Sequence, residues 1–161
     1  MIELVCRILL LVTLLMIFFQ DNKERQVYWF MFPITAILFS ILHYTSAGGI
    51  NFLINSAFNL ILIFCVLCCL LLYTYLVLKI EFFKAFGLGD LLFFLAISFS
   101  FSTITFVVCF IISIFFCLLI HFIFNTTNKF ETVPLAGNMS LFFLGILVLD
   151  WLDIYKNSYF L

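Results

Sequence analysis

Two carboxylates stand out in a chain that has few. In the stretch Gly87-Leu-Gly-Asp90, Asp90 sits directly behind two glycines and opens a long apolar run. Asp21 begins the polar stretch Asp21-Asn-Lys-Glu-Arg-Gln26, at the end of the first apolar run. Two carboxylates a few ångströms apart resist double ionisation and share a proton. They then titrate as a pair, with apparent pKa values that belong to neither alone. The ionised member can take a proton from water while the protonated member gives one to a scissile carbonyl, which is the chemistry of aspartic peptide hydrolysis. Gly87 and Gly89 each weaken a helix by up to about 1 kcal/mol relative to alanine. In return they allow a sharp turn and the close approach of an extended substrate backbone. Plainer readings stand beside this one. Asp90 fits a helix N-cap, where the macrodipole favours its ionised form, and Asp21 fits the ordinary start of a loop.

The elements that position these residues must lie in a membrane. Of 161 residues, 67% are hydrophobic and 9% charged, and the mean hydropathy is +1.36. A soluble domain carries about 25% charged residues, so this chain cannot cover a water-facing surface and reads as an all-α integral membrane protein. The net charge of -1 gives no field toward nucleic acid. Neither a phosphate loop nor a Ser/His/Asp triad is present in the sequence. Residues 1–20 read as a retained helix, since no small-residue cleavage site follows the apolar run.

A spanning helix needs about 20 apolar residues. Six runs are expected to be helical: Ile2–Gln20, Val27–Tyr44, Phe52–Leu78, 86–102, 104–124 and Leu135–Leu152. Tyr28 and Trp29, at the start of the second, read as interface anchors. Between Leu91 and Phe124 there is no charged residue and no proline. One helix of that length would reach about 50 Å against a core of about 30 Å, so the chain must turn. The cluster Ser98, Ser100, Ser102, Thr103 and Thr105 marks the turn. Gly48 and Gly49 serve the turn between helices two and three. The first, third and fifth loops hold Lys23, Arg25, Lys79, Lys84 and Lys129, against Arg7 and Lys156 on the other side. The positive-inside rule then puts both termini outside and both aspartates at the cytoplasmic face.

Other polar residues carry less. The cysteines Cys6, Cys65, Cys68, Cys69, Cys109 and Cys117 all lie in apolar runs. The CxxC spacing of Cys65-Val-Leu-Cys68 has no further ligands beside it, so small packing residues are expected rather than a metal site. His43 falls near the outer end of helix two, away from the aspartates, and His121 near the inner end of helix five. Asn51, Asn55 and Asn59 form a stripe that can hydrogen-bond across helices. Glu81 and Lys84 fit an interfacial ion pair, and Asp150 and Asp153 flank Trp151 as an outer interface anchor.

Taken together, Asp21, Gly87-Leu-Gly-Asp90 and Val133-Pro-Leu-Ala-Gly137 resemble the type IV prepilin peptidase family of GxGD membrane aspartyl peptidases. The resemblance covers nearly the whole chain. It implies six transmembrane helices and Asp21 and Asp90 as the catalytic pair. Gly87, Gly89 and Pro134 would shape the turn and the substrate backbone. No cofactor or metal is implied. The expected partners are prepilin-like membrane-anchored precursors with a basic leader, met at the cytoplasmic face of a bacterial inner membrane. The sequence departs from the family where Arg25-Gln-Val-Tyr-Trp29 replaces an Ile-Pro-Asn-like segment, and where Leu91-Leu-Phe-Phe lacks the usual lysine. The cysteine-rich zinc domain of larger members is missing, which implies a minimal peptidase core. Two other classes use the same residues: a small carboxylate-dependent transporter or proton relay, and a non-catalytic membrane scaffold.

Overall fold

The structure, a computed structural model, describes residues 2–79, 86–124 and 134–151. Six helices make up the described chain: α1 Ile2–Glu24, α2 Met31–Ala47, α3 Gly49–Tyr73, α4 Leu88–Ile97, α5 Thr103–Phe124 and α6 Leu135–Trp151. A π-helical turn, Thr74–Leu78, continues α3. The described residues include no strand. Ile2–Glu24, Gly49–Leu78 and Thr103–Ile123 are long and apolar enough to cross a membrane, and α2, α4 and α6 are shorter apolar helices. Outward faces remain apolar, with Ile50, Phe64, Ile104 and Phe122 all more than half exposed. These are the helices of a membrane protein, since such a surface suits lipid and not water.

The bundle is centred on α1 and α6, which share the most extensive contact. Their run is antiparallel: Arg7 near the start of α1 pairs with Asp150 near the end of α6 at 2.9 Å. Along α1 the buried residues are Cys6, Leu10, Leu14, Ile17 and Asp21. That three- and four-residue spacing is one helix face, and Asp21 belongs to it. The core is aromatic. Phe143 of α6 lies fully buried, with its ring 6.2 Å from Phe101 and 6.3 Å from both Phe39 and Phe93. Such ring pairs add about 0.5–1.5 kcal/mol each beyond burial. Phe39 and Phe93 tie α2 and α4 to α6 and so fix the end of the bundle where Asp90 sits.

Several boundaries differ from the sequence expectation. Helix one does not stop at Gln20 but runs through Glu24, so Asp21 lies inside its last turns rather than after it. Helix two starts at Met31, with Pro33 in its first turn, where the missing N–H costs nothing. Tyr28 and Trp29 precede it and are exposed. The turn at Gly48 is as expected: its φ of 80° is a conformation that glycine adopts freely.

The largest departure is α4. It has 10 residues, about 15 Å of helix, where 86–102 had been expected. The turn that follows is buried: Ser98, Ser100, Phe101 and Ser102 are all shielded. Backbone at such a depth needs partners from protein. Asn59 of α3 supplies two, donating from Nδ2 to Ser98 O and Phe101 O at 3.0 Å each. His43 Nδ1 lies 3.2 Å from Phe99 O, and Thr103 Oγ1 donates to Asn55 Oδ1 at 3.3 Å. The asparagine stripe therefore works across helices at Asn55 and Asn59, while Asn51 turns back to Ala47 O of α2. The cysteines divide. Cys6 and Cys117 are buried, but Cys65, Cys68 and Cys69 face outward on α3 rather than packing inside. The expected Glu81–Lys84 pair, Lys129, Asp153 and Lys156 lie outside the described residues.

Candidate active site

Asp21 and Asp90 come together on a third element, the N-terminal turn of α6. Pro134 is buried there and acts as the N-cap: its carbonyl accepts the first intrahelical bond, from Asn138 N–H at 3.1 Å. The amides that follow have no partner within their own helix. Ala136 N–H donates to Asp90 Oδ1 at 2.7 Å, and Gly137 N–H donates to Asp21 Oδ2 at 2.6 Å. Two carboxylates from two different helices thus rest on consecutive amides of a third. Both bonds have the short length of charge-assisted hydrogen bonds, and the helix macrodipole adds to the attraction.

Each glycine near the pair has a different reason. A Cβ on Gly137 would sit 2.9 Å from both Asp21 Cβ and Asp21 Oδ2, and 3.0 Å from Asn22 Nδ2. No side chain fits, so glycine is what lets α1 and α6 close on each other here. Gly87 is the N-cap of α4, with an extended backbone at φ -69° and ψ 141°. A Cβ on it would lie 3.2 Å from Asp90 Oδ2, which turns back toward it. Gly89 lies within the first turn of α4, and its added Cβ would make ordinary contact with Phe32 at 3.6 Å. Neither glycine uses a left-handed conformation. The sharp glycine turn expected before Asp90 is therefore an ordinary helix start. Asp90 is the third residue of α4 and not its N-cap. Its carboxylate still reaches back to the Gly87 N–H at the start of α4 and caps α6 as well.

Two side chains beside the pair had not been singled out for it. Arg25 follows α1 directly and is close enough to act electrostatically on both carboxylates. Cys117 of α5 is buried, and its thiol faces Leu135 O at 3.8 Å. His121, a turn further along α5, is half-buried, and no described contact joins it to either aspartate. Among the described residues, no group of three His, Cys, Asp or Glu side chains is arranged to hold a metal ion. At the far end, Arg7 bridges Glu3 at 3.0 Å and Asp150 at 2.9 Å, so Asp150 is an ion-pair partner of α1.

No family model matches the chain, and neither a curated protein nor a solved structure is similar enough to count as a match.

Proposed function

We propose that this chain is a membrane aspartyl endopeptidase of the prepilin peptidase kind. It would cross a bacterial inner membrane six times with both termini outside, and cleave prepilin-like precursors at the cytoplasmic face. The observation that carries this reading is the meeting of Asp21 and Asp90 on the consecutive amides of Ala136 and Gly137. A dyad needs two carboxylates side by side, oriented by groups that do not themselves react. Backbone amides meet that need.

In this reading the pair holds one proton between its members. Among the described residues no hydrogen bond engages Asp21 Oδ1, so Asp21 is the better placed to take a proton from the attacking water. Asp90 then gives its proton to the scissile carbonyl oxygen; the tetrahedral intermediate collapses as Asp21 passes the water's proton to the leaving amine and a hydroxyl of the intermediate returns its proton to Asp90. The α6 amides keep both carboxyl groups in place throughout.

A second reading draws on the same two bonds. In it the aspartates serve only as caps for α6, in a non-catalytic membrane scaffold. The two are separated by co-expressing wild type, Asp21→Asn or Asp90→Asn with tagged prepilin-like proteins. The peptidase reading expects a mobility shift with wild type only, while both variants insert and fold. Cleavage retained by either variant sinks it. Full biological function in a double variant favours the scaffold.

A further inference from the structure

Arg25 has a conformation that its own type does not favour. Its φ is 55°, in the left-handed region that non-glycine residues seldom occupy. The backbone is held there by its N–H, which donates to Asp21 O at 3.1 Å. An arginine at the end of an apolar helix ordinarily extends its guanidinium toward water or lipid headgroups. The neighbouring Lys23 and Glu24 are exposed. Arg25 instead turns inward, with Nε and Nη1 shielded.

The surroundings of the carboxylates make that placement significant. From α1 the titratable groups are Asp21 itself and the exposed Lys23 and Glu24. Asp90 comes from α4, and α5 presents the Cys117 thiol with His121 a turn beyond. α6 contributes amides. His43 of α2 lies at the opposite end, and Lys79, past α3, is exposed. Among the described residues, Arg25 is the cation that acts on both carboxylates.

We propose that Arg25 is a positioning residue: the built-in counter-charge that keeps one carboxylate of the pair ionised in a buried setting. Two shielded carboxylates without a cation would both favour the neutral form. One guanidinium brings the site to a single negative charge balanced by a single positive one, the state in which one carboxylate is ionised and its neighbour holds the proton. The inference rests on the paired carboxylates. It deepens the peptidase reading, but its test does not need cleavage.

The full chain in detergent or native membranes is treated at neutral pH with a hydrophobic carbodiimide. This reagent modifies protonated carboxyl groups and spares carboxylates. Labelling at Asp21 and Asp90 is quantified by mass spectrometry, with Asp21→Asn and Asp90→Asn as site controls. Arg25→Gly removes the charge while suiting the left-handed backbone, and Arg25→Lys keeps the charge. Arg25→Gln, uncharged and of similar length, is the second neutral variant if the glycine form fails to fold. Labelling of the pair is expected to rise about twofold in the neutral variants, as the second carboxyl also becomes protonated, and to stay near wild type in Arg25→Lys. Equal labelling of wild type and the neutral variants overturns the proposal. So does Arg25→Lys behaving as they do. A wild type that labels as expected but cleaves nothing refutes the peptidase reading alone, while unchanged labelling with normal cleavage refutes only the counter-charge.

Discussion

Gly137→Ala is the most direct probe of how the pair is held. The new Cβ would lie 2.9 Å from Asp21 Cβ and Oδ2, whereas carbon atoms in contact settle at about 3.5–4.0 Å. α1 and α6 must therefore part by roughly 1 Å at this level. The 2.6 Å bond from Gly137 N–H to Asp21 Oδ2 then stretches beyond useful length. Losing a hydrogen bond to a charged group costs about 1.5–3 kcal/mol, and overpacking adds about 1–3 kcal/mol. Alanine returns up to about 1 kcal/mol through helix propensity. The net loss of stability is expected at about 2–5 kcal/mol. If the pair is catalytic, a shift of this size lowers the rate by about a hundredfold. The control is Gly145→Ala on the same helix, where an added Cβ meets nothing within 4 Å, and where stability should hold or rise. The assay is thermal unfolding in detergent together with cleavage of a tagged precursor in membranes. A Gly137→Ala protein as stable and as active as Gly145→Ala would refute the close approach of α1 and α6, and with it the seating of Asp21.

Two further expectations concern what supports the site. Asn59→Ala leaves Ser98 O and Phe101 O buried without their donor. Its thermal stability should fall by about 2–4 kcal/mol, and an Asn59→Ala protein that melts with wild type would show that the turn is satisfied another way. Arg7→Ala and Asp150→Ala should each destabilise, and the double variant should lose less than the sum, with a coupling of about 1 kcal/mol for this partly shielded pair. Strict additivity in that cycle would remove the ion pair as a clamp between α1 and α6.

How much of this was legible in the sequence depends on the range of each interaction. Hydropathy located all six helices, and the cluster from Ser98 to Thr105 marked a turn after the fourth, though with that helix running to 102 rather than ending at Ile97, because apolar runs and their interruptions are local signals. It misplaced the end of α1, since a polar residue marks the edge of an apolar run and not the end of a helix. The phase of Asp21 was readable: it continues the buried face of Cys6, Leu10, Leu14 and Ile17. The length of α4 was not, because Asn59 makes a buried turn tolerable from 39 residues away. Gly137 entered only as the last residue of the Val133–Gly137 stretch, and its steric need was not legible, as that arises only when α1 arrives beside it. Arg25 had been weighed as a topological charge and as the start of a segment that departs from the family, not as a neighbour of both carboxylates. Its left-handed φ and inward guanidinium depend on tertiary structure. Asp150 finds Arg7 across 143 residues of chain, a distance that no sequence pattern bridges.

The ion pair at one end of α1 and the carboxylate at the other also measure the membrane. Arg7 and Asp21 lie fourteen positions apart on one helix, about 21 Å at 1.5 Å per residue. The same interval separates Ala136 from Asp150 on α6. A bilayer hydrocarbon core is about 30 Å thick. The two polar levels of this protein are too close to reach both surfaces of an undisturbed bilayer. If α1 and α6 span the membrane as proposed, lipid around them thins by several ångströms, or one polar level draws headgroups and water below the normal surface. A peptide bond presented to Asp21 and Asp90 would then be met in a dimple of the membrane, and cleavage should grow stronger in short-chain lipids and weaker in thick ones.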